Sequence, residues 1–460
     1  MSFPSYPEYK DSGVEWLGEV PEHWETKPLK RVATYNDEVL AETTADNHDL
    51  KYVEISDVDE QRGITGWSEH TFATAPSRAR RRLRHGDVLI STVRTYLRAI
   101  APVIKPPENL IGSTGFAAIR SLTGQYDSAL MGYTLRAEWF ISKVIANSVG
   151  VSYPAINATD LTRFHVPVPP LPEQTQIAAF LDHETAKIDA LIREQKRLIA
   201  LLKEKRQAVI SHAVTKGIDP AAPMKDSGVE WLGEVPAHWE VPRLKHISYA
   251  QGGGTPSKER EDYWVGDIPW VSPKDMKSYV IKKTVDCISQ EAVDDSGLKL
   301  IPFRSVLVVV RGMILAHSFP VALSGLSVTI NQDMKALTPA AEKLSPEYLQ
   351  LLLCGIDEVV FDCVGSSAHG TKKLEWEYFF RIRIPLPQPD EQFQIVSQVQ
   401  GELQEIDQLT SQAKIMADTL SERRSALISA AVTGKIDVRG WVPPADAALI
   451  HENTTCTEAV

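Results

Sequence analysis

Cysteine is scarce: Cys287, Cys354, Cys363 and Cys456 are the only four in 460 residues, and they stand in no CxxC or other metal-ligand spacing. That excludes a disulfide scaffold and a cysteine metal site, and all four are expected as free thiols in a reducing cytosol. Long apolar runs are missing too. The longest stretch of strong hydrophobes, residues 306–310, is strand-sized, and the opening MSFPSYPEYK has no basic segment with an apolar run behind it. No export signal or membrane span is expected, which implies a cytoplasmic chain. Catalytic signatures are lacking as well: there is no (D/N)PP(F/Y/W) tetrapeptide of an amino-methyltransferase, no Walker A, no helicase acidic box and no PD…(D/E)xK nuclease pattern. His183 and Glu184 look like half of a zinc-protease motif, but no histidine follows at the required spacing, so the pair reads as helix surface. Neither a catalytic residue nor a metal ligand is expected.

An excess of positive charge is the last absence. The chain carries 49 Lys and Arg against 60 Asp and Glu, a net charge of −11, and affinity for nucleic acid comes largely from neutralising phosphates. The distribution reverses that argument. Residues 26–166 hold 17 basic against 15 acidic side chains and residues 241–384 hold 17 against 17, whereas the remainder holds 15 against 28. The acidic excess lies outside these two segments, leaving them free to carry local basic surface.

What is present is duplication. Residues 10–25, KDSGVEWLGEVPEHWE, and residues 225–240, KDSGVEWLGEVPAHWE, agree at fifteen of sixteen positions across an offset of 215. Residues 172–219 match residues 390–437 at an offset of 218. Units of about 215 residues are too long for solenoid repeats, so each is domain-sized. The segments between the matched blocks are much less alike, so a shared frame presents two different inserts. The implied order is a repeated N-terminal segment (1–25), a first insert (26–166), a first frame helix (167–219), a repeated linker (220–240), a second insert (241–384), a second frame helix (385–437) and a tail (438–460).

Each unit ends in a proline-rich exit followed by a long helical pattern, with Glu173 at the first helix start. Leu181, Ile188, Gln195, Leu202 and Val209 recur every seven residues, with Leu191 and Leu198 as a complementary seam; the second copy gives Val399, Ile406, Ala413, Leu420 and Leu427, with Leu409 and Met416. This is a coiled-coil period, closed by Gly217 and Gly434. A lone helix cannot bury such a stripe, so the two copies are expected to pack on each other, antiparallel if the duplication is pseudo-twofold; each lying on its own domain is the alternative. Gln195 and Ala413 interrupt the apolar rule midway and are placed to meet in such a pair. The inserts read as mixed α and β, with strands near residues 52–55, 88–92, 268–271 and 306–310 and a helix at 346–354 opened by Ser345. Weaker echoes, residues 86–94 with 304–312 and 148–150 with 363–367, say that the inserts share a fold. The fold class is therefore α+β: two mixed α/β domains joined by two long antiparallel coiled-coil helices.

Within residues 78–98 stand seven arginines, Arg78, Arg80, Arg81, Arg82, Arg84, Arg94 and Arg98, against one aspartate. Such a cluster suits phosphate contacts, and an arginine can also read a guanine edge; a solvated charged face is the plainer reading. In the second insert QGGGTPSKER (251–260) is glycine-rich, but no GK(S/T) follows, so it is a tight turn carrying Lys258 rather than a phosphate loop. Lys274, Arg311, Asn331, Gln332, Lys335, Lys372 and Lys373 offer amides and cations for base and phosphate contact, and fit turn or surface chemistry equally. Trp16, Trp24, Trp231 and Trp239, identical in the two sixteen-mers, read better as packing anchors than as base-stacking groups.

The ordered set of KDSGVEWLGEVPEHWE, GDVLISTVR, VPVPPLPEQTQIAAFLD, QAVISHAVTKGID, KDSGVEWLGEVPAHWE, GGTPSKER, DIPWVSPKDM, IPLPQPDEQFQI and ALISAAVTGKID resembles the specificity subunit of type I restriction-modification enzymes across nearly the whole chain. The resemblance implies two target-recognition domains, each reading one half of a bipartite asymmetric site in double-stranded DNA. It implies helices that dock two methyltransferase subunits, and two motor-nuclease subunits that join them. S-adenosylmethionine, ATP and magnesium would then belong to those partners, with no cofactor on this chain. Recognition residues are not fixed in that family, so the basic candidates above rest on local chemistry alone.

Overall fold

Residues 87–91, DVLIS, show no alternation of apolar and polar side chains, and the structure, a computed structural model that describes residues 3–60, 62–340, 342–366 and 370–442, shows why. Strand Asp87–Ser91 is buried on both faces. Val88 and Ile90 join a core with helix Ser128–Arg136, while Leu89 joins a second cluster with Val53, Leu83 and Phe116. The strand lies second in an antiparallel sheet of order Ile100–Pro102, Asp87–Ser91, Phe116–Ser121, Ala33–Tyr35. Another sheet has the order Ser68–Thr71, Asp49–Val53, Leu110–Ser113, Ala79–Arg82, with its middle pair parallel. These elements belong to one compact unit, made of residues up to Gln195 and from Ile415 onward.

The second unit, Lys196–Lys414, has the same plan. Its larger sheet runs Ser248–Gly252, Met334–Pro339, Val306–Val309, Val321–Ser324, Val280–Ile281. The smaller runs Asp286–Ile288, Ile268–Val271, Thr329–Ile330, the last two parallel. Helix Pro346–Gly355 starts where the sequence places it: the Ser345 hydroxyl accepts the Tyr348 N–H, and proline occupies the first turn, where no N–H is needed.

Two long helices, Leu171–Lys216 and Pro389–Val432, supply the frame. In the first unit Ile188 and Ile192 pack with Leu420, while Ile177 and Leu181, nearer the start of their helix, share a core with Ile428 and Val432 near the end of the other. The pairing is antiparallel. An Arg424–Asp189 ion pair at 2.8 Å crosses it, and the second unit repeats the pair at an offset of 218, as Arg206–Asp407 at 3.4 Å.

Burial corrects part of the expected seam. Leu181, Ile188, Leu202, Val399, Ile406, Ala413 and Leu420 are buried and Gln195, Val209 and Leu427 half-buried, but Leu191, Leu198, Leu409 and Met416 stand about half exposed. The complementary positions are one residue later: Ile192 and Ile199 on the first helix, Thr410 and Ala417 on the second. A four-residue step lies about 40° to one side of the sevenfold row and a three-residue step about 60° to the other; here the partner and the sheet domain cover the first side.

The sixteen-mers explain themselves at the helix starts. Trp24 is fully buried, and its Nε1–H donates to Glu173 at 3.0 Å. His23 Nε2 lies 2.8 Å from the other Glu173 oxygen, and the Tyr6 hydroxyl donates at 2.5 Å. The second copy repeats the clamp with Trp239 and His238 on Glu391, at 2.9 and 2.8 Å. Burial, reinforced by Glu173, holds the Tyr6 phenol well above its ordinary range. Adjacent glutamines work alike: Gln174 donates to the Pro169 carbonyl and Gln392 to that of Pro387. Trp16 stacks on Trp139 at 4.1 Å, and Trp231 packs half-buried against its core, so all four tryptophans are packing residues.

Helix ends complete the units. A Cβ on Gly434, at φ 73°, would lie 2.3 Å from the Pro21 ring, so the second helix must end in glycine to dock on the first sixteen-mer. Gly217 packs likewise on Pro236 and Trp239. His183 departs from the sequence reading: it lies under the Trp441 ring at 5.5 Å, only 8 % of its side chain exposed, because residues 438–442 fold back onto the first helix. Cys287, Cys354 and Cys363 are free thiols, and Cys456 lies outside the described residues.

Candidate nucleic-acid interface

Parallel pairing of Asp49–Val53 with Leu110–Ser113 makes the chain leave both strands at one end of the sheet. Residues 54–56 and Thr114 emerge there, and the Thr114 N–H donates to the Arg78 carbonyl at 2.8 Å, which holds Arg78 at the same end. The loop after strand Asp87–Ser91 adds Arg94, in the left-handed region at φ 51°. Its N–H donates to the Pro154 carbonyl, and its guanidinium lies 4.8 Å over the Tyr153 ring. Arg78, Arg94, Glu54, Ser56, Leu97 and Tyr153 thus line one cleft of about 770 Å³. Neither arginine is in an ion pair among the described residues.

The other arginines of residues 78–98 do not join them. Arg84 bonds Glu38, which also holds Arg120; Arg120 in turn grips both oxygens of buried Asp87, and this pairing raises its guanidinium further above its ordinary value. Arg98 is held by Glu138 and Glu60 at 2.7 and 3.1 Å. Those two are structural ion pairs, because the fold returns carboxylates to them from distant positions. Arg80 lies over Phe72 at 5.1 Å. Burial lowers the pKa of Arg81, whose Nε has no hydrogen-bond partner among the described residues, while Arg82 is exposed. Alternation along strand Ala79–Arg82 divides what looked like one cluster.

In the second unit the corresponding strand ends bring the candidates together. Parallel pairing of Ile268–Val271 with Thr329–Ile330 sends Lys274 and Asn331–Gln332 off one end. Asn331 is nearly buried, and its Oδ1 accepts the Asp333 N–H, so it shapes the turn. Thr255 bonds Gln332, which seats the glycine-rich turn of Lys258 beside it. A Cβ on Gly253 would lie 1.9 Å from the Ile330 carbonyl, so those glycines serve close packing and not phosphate binding. Arg311 and Lys373 pair through their backbones. Lys372 donates to Ser366, Lys373 lies 3.8 Å from Glu375, and Lys335 sits 4.2 Å over the Trp376 ring, its pKa lowered by burial.

Sequence reasoning missed Tyr96, Leu97, Val149, Val151 and Tyr153, all exposed, of which Leu97 and Tyr153 line the first cleft and the others stand on the same two loops. Apolar residues are assigned to a core by default, and the only signal was the echo at residues 148–150. That loop is tied to the neighbouring hairpin in both units: Ile156 donates to Thr92 in one, and Leu374 to Val310 in the other.

Among the described residues no group of His, Cys, Asp and Glu could hold a metal ion, and no helix is long and apolar enough to cross a membrane. The family model for the type I restriction modification DNA specificity domain matches residues 21–200 and again 236–415. The type I restriction enzyme EcoR124I/EcoR124II specificity subunit of Escherichia coli is 32 % identical over 239 residues, 50 % of this chain and 53 % of that protein. The MjaIX specificity subunit of Methanocaldococcus jannaschii is 32 % identical over 171 residues, 36 % of this chain and 38 % of that protein. The chain thus spans about half the length of the first relative and less of the second. A solved chain described under complex assembly and conformational transition of the type I R-M system shares the fold, with a TM-score of 0.74 at 24 % identity over 91 % of this chain and 99 % of that one. With two matched segments covering more than half its length, the chain belongs to the type I restriction modification DNA specificity domain family.

Proposed function

We propose that this chain is the DNA sequence-specificity subunit of a type I restriction-modification complex. Residues 26–166 read one half of a bipartite asymmetric site and residues 241–384 the other. The observation that carries this reading is the pairing of a strictly repeated frame, down to the Trp24–Glu173 and Trp239–Glu391 clamps, with sheet ends that present different side chains. In the first unit the DNA meets Arg78, Arg94, Glu54 and Ser56; in the second it meets Lys274, Gln332, Arg311, Lys372 and Lys373. Arginine can grip a guanine edge or a phosphate, and lysine acts mainly as a point charge on phosphate.

The frame helices dock two methyltransferase subunits, and two motor-nuclease subunits join them, so that S-adenosylmethionine, ATP and magnesium belong to the partners and the chain performs no chemistry alone. Leu191, Leu198, Leu409 and Met416 are the surface offered for docking, since a half-exposed leucine or methionine row on a frame helix is otherwise left to water. The complex acts in the cytoplasm.

Exchanging residues 26–166 for the equivalent segment of a relative, followed by methylome sequencing, tests the division of labour. One half of the methylated motif is expected to change; a change in both halves, or in neither, contradicts it. Replacing Arg78 and Arg94 by alanine is expected to weaken binding and to lower the salt slope by about one for each phosphate that is no longer neutralised.

A further inference from the structure

At one place in the first unit, large apolar side chains stand out into solvent together. Val151 is fully exposed, Val149 81 % and Tyr153 64 % exposed, all on one loop. Tyr96 and Leu97, 52 % and 48 % exposed, come from the hairpin beside it. The two loops are one braced body. Arg94 donates to the Pro154 carbonyl and Ile156 to that of Thr92, at 2.8 and 2.9 Å, and the Thr95 hydroxyl bonds Ser148 at 2.8 Å. Gly150 makes the turn that turns the valines outward: its φ is 124°, and a Cβ there would meet the Tyr153 carbonyl at 2.9 Å.

A braced apolar tip in water marks a surface that something else covers. Charge says what. Arg78 and Arg94 line the cleft that Leu97 and the tip's own Tyr153 also line, Arg94 is stacked on that tyrosine, and neither arginine has a carboxylate partner among the described residues. Apolar side chains flanked by free cations are the makeup of a groove-entering wedge, in which the apolar groups part a base step and the cations hold the adjoining phosphates. We propose that residues 149–153 form a wedge that enters the duplex at the first half-site and unstacks a base step there, with Arg78 and Arg94 on the flanking phosphates. This rests on the reading of residues 26–166 as a DNA-recognition domain.

The test uses the full chain assembled with its methyltransferase subunits. Duplexes carry the methylated site found by sequencing, with 2-aminopurine at adenine positions and pyrrolocytosine at cytosine positions, scanned through the first half-site on both strands. Binding is expected to raise fluorescence severalfold at one step away from the methylated base, which extrusion by the methyltransferase would itself brighten. The double variant V149S/V151S, altering only exposed side chains, is expected to lose that rise and bind about tenfold more weakly, a change of about 1.4 kcal/mol. Val151→Leu is expected to keep the rise. Normal binding with no brightened step overturns the wedge and leaves the site reading intact. Loss of methyltransferase assembly in the double variant overturns it too, and assigns the tip to a protein partner. A wild-type complex that fails to bind its own methylated site sinks the underlying reading itself.

Discussion

Glu173 shows how much one side chain can carry. Its carboxylate is nearly buried and receives Tyr6, Trp24 and His23. Among the described residues Glu391 receives only Trp239 and His238, and it is 22 % exposed. Hydrogen bonds to a charged group are worth about 1.5–3 kcal/mol, and buried donors left without partners add to the loss. Glu173→Ala is therefore expected to cost about 3 kcal/mol or more in urea unfolding, and Glu391→Ala less; equal losses would mean that Tyr6 contributes nothing to the first clamp. Cys354 offers a check by pH. Burial pushes its thiol up to about 12, against about 8.5 for a free thiol. Since only the thiolate is nucleophilic, iodoacetamide at pH 8 is expected to leave Cys354 unmodified until urea is added. The sign for stability follows. A raised thiol pKa favours the fold while the unfolded thiol is still protonated, and that contribution drains away as pH climbs from about 8.5 toward 12. Rapid native labelling, read by mass spectrometry of the peptide, would contradict the assignment.

At the scale of elements, the helices have two apolar rows with different duties. The buried row holds the fold. Leu202→Pro, in that row, is expected to cost about 3 kcal/mol for the interrupted helix before any packing loss, seen as a lowered urea midpoint of the chain alone. The exposed row, Leu191, Leu198, Leu409 and Met416, is expected to behave oppositely. Changing all four to serine is predicted to leave the urea midpoint of the lone chain within about 0.5 kcal/mol per site. The same variant is predicted to lose methyltransferase subunits on size-exclusion chromatography with mass detection. Normal assembly by that variant would move the docking surface elsewhere.

The whole molecule is governed by duplication. Each long helix runs unbroken from residues of one unit into residues of the other. If these helices act as the spacer between two half-site readers, four residues inserted near Lys196 add about one turn, roughly 6 Å. DNA advances about 3.4 Å per base pair. The gap in the methylated motif is then expected to widen by one or two base pairs with both half-sites unchanged; an altered half-site beside an unchanged gap would defeat the ruler. Four residues nearly preserve the seam, whereas two would rotate it by about 200°. Sequence alone determined the duplication, through matches 215 and 218 residues apart, and local pattern determined the α+β class, the long helices with their glycine ends, and the caps and apolar strands such as Ser345 and residues 306–309, because each of the latter is decided by neighbours within a few turns of chain. Tertiary structure decided the rest. Which of seven arginines remain free depended on Glu38, Glu60 and Glu138 returning from 38 to 46 residues away. Which helix row faces inward depended on what packs beside it, a difference of one residue that a sevenfold period does not resolve. An apolar loop tip reads in sequence like any core segment, since hydrophobicity reports what a side chain avoids and only the fold reports whether anything covers it.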